Sequence, residues 1–456
     1  VSTTQSNAVN TVHPVDQVLP WGTMLPVALQ HVMVMYAGAI AVPLIVGGAM
    51  KLSPAEIAYL VNADLFAAGI VTLIQCLGIW KFGIRMPVIM GVTFAAVGPM
   101  VAMANSGLGL THIYGAVIAS GIFTVLVAPI FGRLVRFFPP VVTGTIIAVI
   151  GITLLKVGIT WAGGGAKAAD FGAVQHVGMA ALVLVVILAI SKFGRGFLGN
   201  VSVLAGLIAG YLVAMALGLV RFDHVNEAAW FSAITPFHFG LPQFEIGSII
   251  SLSLVMIVVM VESTGMFLAL GELCKRKVDA DDLSRGLRTD GIGTIIGGVF
   301  NTFPYTSFSQ NIGLVGMTGV KSRWAVACSG VILLMFGLFP KMGAIIASIP
   351  QAVLGGAGLC MFGMVAATGI KILQRVNFES RTNLLIVAIS VGLGMIPMLA
   401  PTFFHSLPAW TAPLTHSGIT LAAVSAVLLN AFFNRAQTEE EIEKELMHTA
   451  HSAGAE

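Results

Sequence analysis

The chain has 456 residues, of which 57% are hydrophobic and only 9% charged, with a formal net charge of +3. A soluble domain carries about 25% charged residues and has no use for this much apolar surface, whereas a bilayer does. No block of Lys and Arg is interleaved with aromatics, so the small positive excess gives nucleic acid no binding face.

Residues 1–20 are polar and lack the basic and apolar regions of a signal peptide. A membrane span needs about 20 mostly apolar residues, fewer where it is broken or enclosed by protein. Apolar runs predict spans at 24–47, 57–80, 87–104, 110–132, 138–160, 176–193, 199–220, 247–270, 289–302, 304–319, 323–340, 345–370, 383–400 and 415–433. The third, ninth and tenth are short or interrupted. The tail from Arg435 is charged and reads as a short solvated helix. The 52 glycines suit close packing of helices in lipid. Cys76, Cys274, Cys328 and Cys360 have no metal-ligand spacing and read as small buried hydrophobes.

Basic residues test the count. With a cytoplasmic N-terminus, the loops after even-numbered spans hold Lys81, Arg85, Arg133, Arg136, Lys192, Arg195, the cluster at 275–288, Lys321, Arg323, Lys371, Arg375, Arg381, Arg435 and Lys444. The other side holds only Lys51, Lys156, Lys167, Arg221 and Lys341. This bias follows the positive-inside rule, and one miscounted span would scramble it downstream.

A shift of 211 residues lays 129–159 on 340–370. It matches Pro129 with Pro340, Gly132 with Gly343, Pro139 with Pro350, Gly144 with Gly355 and Gly158 with Gly369. The offset is seven spans, an odd number, so the second copy would be inverted, a common plan of secondary transporters. Broken helices at matching places in two such halves point to a midplane site. The third span contains Gly91, Thr93, Phe94, Gly98 and Pro99, and the tenth contains Pro304, Ser307, Phe308, Ser309, Gln310, Asn311 and Gly313. Each reads as a short extended piece leading into a half-helix, whose free backbone groups a polar ligand can satisfy.

Ionisable groups inside spans are costly and usually functional. Glu262 lies mid-span in V-V-M-V-E-S-T-G-M with no charged neighbour in that run. A carboxyl in low dielectric favours its neutral form, which suits a proton carrier. Asp290 opens the ninth span, where it either caps the helix or serves the site. His31 follows Gln30 in the first span, as a ligand group or an interhelical donor. Asp64 reads as a residue near the membrane surface, and Tyr36 and Tyr305 as packing residues.

The run Gln310-Asn311-Ile312-Gly313 with Thr318-Gly319 is similar to the Q/E-N-x-G-x-x-x-x-T signature of the nucleobase–ascorbate transporter family. The Gln30-His31 pair, the V-E-S-T-G-M-F-L-A-L-G-E run around Glu262 and the T-S-F-S-Q-N run resemble its urate/xanthine branch. The resemblance covers roughly 20–435. It implies an all-α polytopic protein of fourteen spans in two inverted sevens. Residues 1–20 would be a cytoplasmic segment, 21–137 and 247–342 a substrate-carrying core, 138–246 and 343–434 a gate, and 435–456 a cytoplasmic tail. It implies proton-coupled purine uptake by elevator-like movement of the core, in the inner membrane, as a homodimer built on the gate. Glu262 and Gln310 would hydrogen-bond the base, with Phe94 and Ser309 adding backbone groups. His31, Thr93, Asp290 and Asn311 would organise the site or its proton coupling, with no cofactor or metal. Two positions depart from relatives. Uracil-type members have Glu where this chain has Gln310, and some members have an ionisable group where this chain has Met266.

The sequence leaves alternatives. A carrier of the same fold could take a pyrimidine base or another organic anion. An inorganic anion would be repelled by Glu262. The chain has no H-E-x-x-H, G-x-S-x-G or nucleotide loop to suggest an enzyme. Broken helices around one carboxylate suit an occluded site better than a continuous pore.

Overall fold

The computed structural model describes residues 12–131, 137–166, 168–408 and 411–434. The predicted tail helix and Arg133, Arg136, Lys167, Arg435 and Lys444 lie outside them.

The main helices are α1 (Trp21–Ala49), α2 (Pro54–Leu77), α3 (Val97–Asn105), α4 (Leu110–Val127), α5 (Pro140–Ala162), α6 (Val174–Phe193) and α7 (Ser202–Ala216). The second half contributes α8 (Ile246–Cys274), α9 (Ala280–Val299), α10 (Ser309–Thr318), α11 (Arg323–Gly337), α12 (Gln351–Leu373), α13 (Arg381–Leu399) and α14 (Gly418–Phe433). Two short strands, β1 (Met90–Val92) and β2 (Tyr305–Ser307), precede α3 and α10. Among the described residues, eight helical stretches are long and apolar enough to cross a membrane: α1, α2, Leu110–Ile130, α5, α6, α8, α12 and α13. Helix α11 and the short helix Pro340–Ala347 pass the same test as a pair bent by 78°. The chain is therefore a polytopic helical membrane protein.

Helix starts follow local chemistry. Ser53 and Glu56 form a capping box at α2, with Pro54 at the first helical position, where its missing N–H costs nothing. Glu245 caps α8 through the Gly247 and Ser248 amides at 2.9 and 2.6 Å. Asp279 caps α9 through the Asp282 amide at 2.8 Å.

That last cap corrects one expectation. The ninth helix begins at Ala280 and Asp290 lies in its interior, so Asp290 is not a helix cap. The hydropathy of 280–288 is low because charged residues crowd this end, and apolarity alone placed the start too late. Asp64 lies inside α2 and is 1% exposed, enclosed by protein.

In the first group of contacts, α2 packs on α11, α4 on α9 and on α8, and α1 on α11. In the second, α5 packs on α12, α13 on α14, and α6 on both α12 and α7. The α5–α12 contact is the closest. A Cβ added at Gly151 would run into the Ala366 backbone, and one at Gly355 into Ala162. The two helices spend these glycines on each other. Close backbone approach gains dispersion contacts that lipid tails do not otherwise favour. The outer faces of α6 and α13 remain apolar and exposed, for instance at Val185, Leu188, Leu384 and Ile389.

Candidate functional site

Two breaks in the helical pattern build the site. β1 and β2 pair antiparallel, Met90 opposite Ser307, Gly91 opposite Thr306 and Val92 opposite Tyr305. The ladder is extended by bonds from the Thr93 amide to the Pro304 carbonyl at 2.8 Å and from the Phe308 amide to the Ile89 carbonyl at 3.0 Å. Backbone left polar in a membrane must be satisfied, and each strand satisfies the other.

Both strands lead straight into helical starts. Thr93 caps the short 3₁₀ turn Phe94–Ala96, its Oγ1 accepting from the Ala95 amide at 3.2 Å, and α3 follows. Phe308 is the residue before α10, so Ser309 and Gln310 supply its first amides. Such amides have no carbonyl one turn earlier to bond and carry the positive end of the helix dipole. Ser309 and Gln310 are exposed, and the Ser309 hydroxyl donates to Gln310 Oε1 at 3.4 Å.

Helix α8 borders these starts, packing against the 3₁₀ turn, β2 and α10. It carries Glu262, which is half-buried and makes no hydrogen bond among the described residues. The next residue ties α8 to β2, with Ser263 Oγ 3.2 Å from Thr306 Oγ1. Asp290 on α9 lies within electrostatic reach of Glu262. It is 0% exposed, and both its carboxyl oxygens lack a hydrogen-bond partner among the described residues.

His31 and Asn311 form one unit. The Asn311 side-chain amide donates to the His31 carbonyl at 2.9 Å and sits 3.1 Å from Nδ1. Both residues are 1% exposed, so the pair fixes α10 against α1. Nδ1 accepting from the amide leaves the ring proton on Nε2. Phe94 is half-buried, and its ring meets Phe362 of α12 edge-on at 5.8 Å between centroids.

The structure thus gathers Thr93, Phe94, Ser309, Gln310 and Asn311 at the ends of one strand pair, with His31, Glu262 and Asp290 on the helices around it. Sequence reasoning missed Phe308 as a wedge. A Cβ at Gly38 would come 2.7 Å from its ring, and one at Gly91 would meet the ring as well. It also missed Asp64 and Tyr305, joined by a 2.6 Å hydrogen bond. The only early signal for that pair was an acidic residue inside an apolar run.

The model of a permease family matches residues 22–403. The chain belongs to this family, the nucleobase–ascorbate transporters. It is 53% identical to the uric acid transporter UacT of Escherichia coli K12, over 94% of this chain and 90% of that one. It is 47% identical to the xanthine permease of Bacillus subtilis, over 93% and 97% respectively. Its fold matches the transmembrane domain of the cyanobacterial bicarbonate transporter BicA with a TM-score of 0.60, over 91% of this chain and 99% of that one. At 17% identity, that likeness concerns the fold alone. The resemblance to the urate/xanthine branch therefore holds over nearly the whole chain, and permeases rather than enzymes are its relatives.

Proposed function

We propose that the protein is a secondary transporter that takes up urate and/or xanthine together with protons. The observation that carries this reading is Glu262, a half-buried acceptor with no hydrogen bond among the described residues, beside two strand-to-helix starts. An oxopurine offers ring N–H donors and carbonyl acceptors along its edges. Glu262 accepts from the N–H groups, and the Gln310 amide answers a lactam with one donor and one acceptor. Backbone groups at Phe94 and Ser309 meet the remaining carbonyls. Thr93, His31 and Asn311 hold these starts in place, and Asp290 shares the proton chemistry with Glu262. The UacT and xanthine permease likenesses support the substrate class. Glu262 disfavours an inorganic anion, whatever BicA carries.

The same reading assigns fourteen spans in two inverted sevens, with both termini in the cytoplasm and the inner membrane as the site of action. The α1–α4 and α8–α11 packing supports a core that carries substrate, and the α5–α12 contact supports a rigid gate for elevator-like movement. A homodimer would use outer gate faces, since the α5 and α12 glycines are already occupied.

Cells expressing the protein are expected to accumulate radiolabelled urate or xanthine, and a proton uncoupler is expected to abolish the accumulation. Accumulation that persists with the uncoupler removes proton coupling, and no uptake of either purine removes the reading. The topology has its own check. In a cysteine-free background, single cysteines at 161–172 should react with a membrane-impermeant thiol reagent in intact cells. Cysteines at 275–288 should react only after lysis, and labelling of these in intact cells would reverse the orientation.

A further inference from the structure

Asp64 is a buried carboxylate that the proposed transport chemistry does not use. It sits in α2 and is 1% exposed. The Tyr305 hydroxyl donates to its Oδ1 at 2.6 Å and lies 2.9 Å from its backbone carbonyl, the Thr302 hydroxyl donates to the same Oδ1 at 3.2 Å, and Oδ2 has no partner among the described residues. Burying a carboxylate at this depth is expensive, so the arrangement needs a reason beyond packing.

Tyr305 is the first residue of β2. A three-residue strand with one neighbour has little stiffness of its own. Its side chains alternate, and they are anchored on opposite sides. Thr306 reaches Ser263 on α8, next to Glu262, while Tyr305 reaches Asp64 on α2. The Tyr305 amide donates to Thr294 Oγ1 at 3.1 Å, and that hydroxyl donates to the Asp290 carbonyl at 2.7 Å. The strand is thus tied to α2, α8 and α9 within two residues. Four residues after Tyr305, α10 begins with Ser309 and Gln310. A small rotation of β2 would swing that helix start relative to Glu262.

We propose that Asp64 is a positioning residue for purine recognition, acting through the Tyr305 hydroxyl to fix the aim of Ser309 and Gln310 toward Glu262. The inference rests on the transport reading above. Misplacing a reacting or binding group by about 1 Å from a distant change can cost about a hundredfold. A loosened strand should cost less than that.

The test is uptake of radiolabelled xanthine by cells expressing the full chain, with KM and Vmax normalised to protein in the membrane. Tyr305→Phe removes a single oxygen and leaves the ring. Its KM should rise about tenfold, equivalent to about 1.4 kcal/mol. Asp64→Leu leaves that hydroxyl only the Asp64 backbone carbonyl and should show a smaller rise of the same kind, and the double variant should be no worse than Tyr305→Phe alone, because both act on one tie. Asp64→Asn keeps an acceptor for Tyr305 and should recover most of the loss. If Asp64→Leu does not reach the membrane, Tyr305→Phe and Asp64→Asn decide the matter between them. An unchanged KM in Tyr305→Phe, with only the amount of protein reduced, would make the pair plain packing and overturn the proposal. Losses that multiply in the double variant would overturn it too. Wild-type cells run in parallel with labelled xanthine and labelled urate separate the two ideas, the variants being assayed on whichever purine is taken up: no wild-type uptake of either defeats the transport reading, whereas wild-type uptake with unmoved variants defeats only this one.

Discussion

Glu262→Gln protein, present in the membrane at normal amounts, is expected to lose proton-driven accumulation of urate and xanthine. The substitution keeps the shape of the side chain and creates no cavity, so folding should survive it. What changes is chemistry. One acceptor oxygen becomes an NH₂ donor, and the group can no longer take up or release a proton. A hydrogen bond to a charged group is worth about 1.5–3 kcal/mol, and stranding its buried partner costs about as much again. Binding should therefore weaken by at least about tenfold, on top of the lost coupling. The measurement is uptake over time under an imposed proton gradient, with membrane protein quantified beside it. Wild-type accumulation in the variant would reduce Glu262 to a structural residue and remove the central element of the mechanism.

The second large effect is expected from Gln310→Glu. Gln310 stands exposed at the start of α10, where its side chain makes only a 3.4 Å contact with the neighbouring Ser309 hydroxyl. The variant keeps its size but loses the amide donor, so a lactam carbonyl facing it goes unanswered. It also places a second carboxylate at a site that already holds Glu262. Affinity for xanthine and urate should fall about tenfold or more, and the order of preference among purine and pyrimidine bases should change. Competition of unlabelled bases against labelled xanthine reads both effects. An unaltered competition order would move Gln310 out of the recognition site.

Much of this molecule was legible before any coordinates. Hydropathy located most of the helices, because that signal is carried by consecutive residues and the membrane imposes it directly. The interruption of the third and tenth spans was equally local. Pro, Gly and hydroxyl residues disfavour a continuous helix wherever they cluster, and the strands at Met90–Val92 and Tyr305–Ser307 fall in those interruptions. The Gln310-Asn311 motif and the lone Glu262 named the candidate site for the same reason, since each stands out against its own neighbours.

The pairings were a different matter. His31 meets Asn311 across 280 residues, and Asp64 meets Tyr305 across 241. Asp64 had no partner within its own run, and the partner exists only once α2 lies beside β2. For Asp290 the sequence left a helix cap and a site role both open because apolarity begins there, whereas the Asp279 cap sets the helix start and puts Asp290 inside the helix. The glycines of α5 and α12 suited close packing, but which helix each face meets was not legible, since composition reports that a face is small and not what covers it. Sequence by itself determined that the chain is a polytopic helical membrane protein and which residues are chemically out of place in its apolar runs. The tertiary structure decided what each of those residues touches, because a buried polar group in lipid must find its partner inside the protein, and only the folded arrangement of distant helices supplies one.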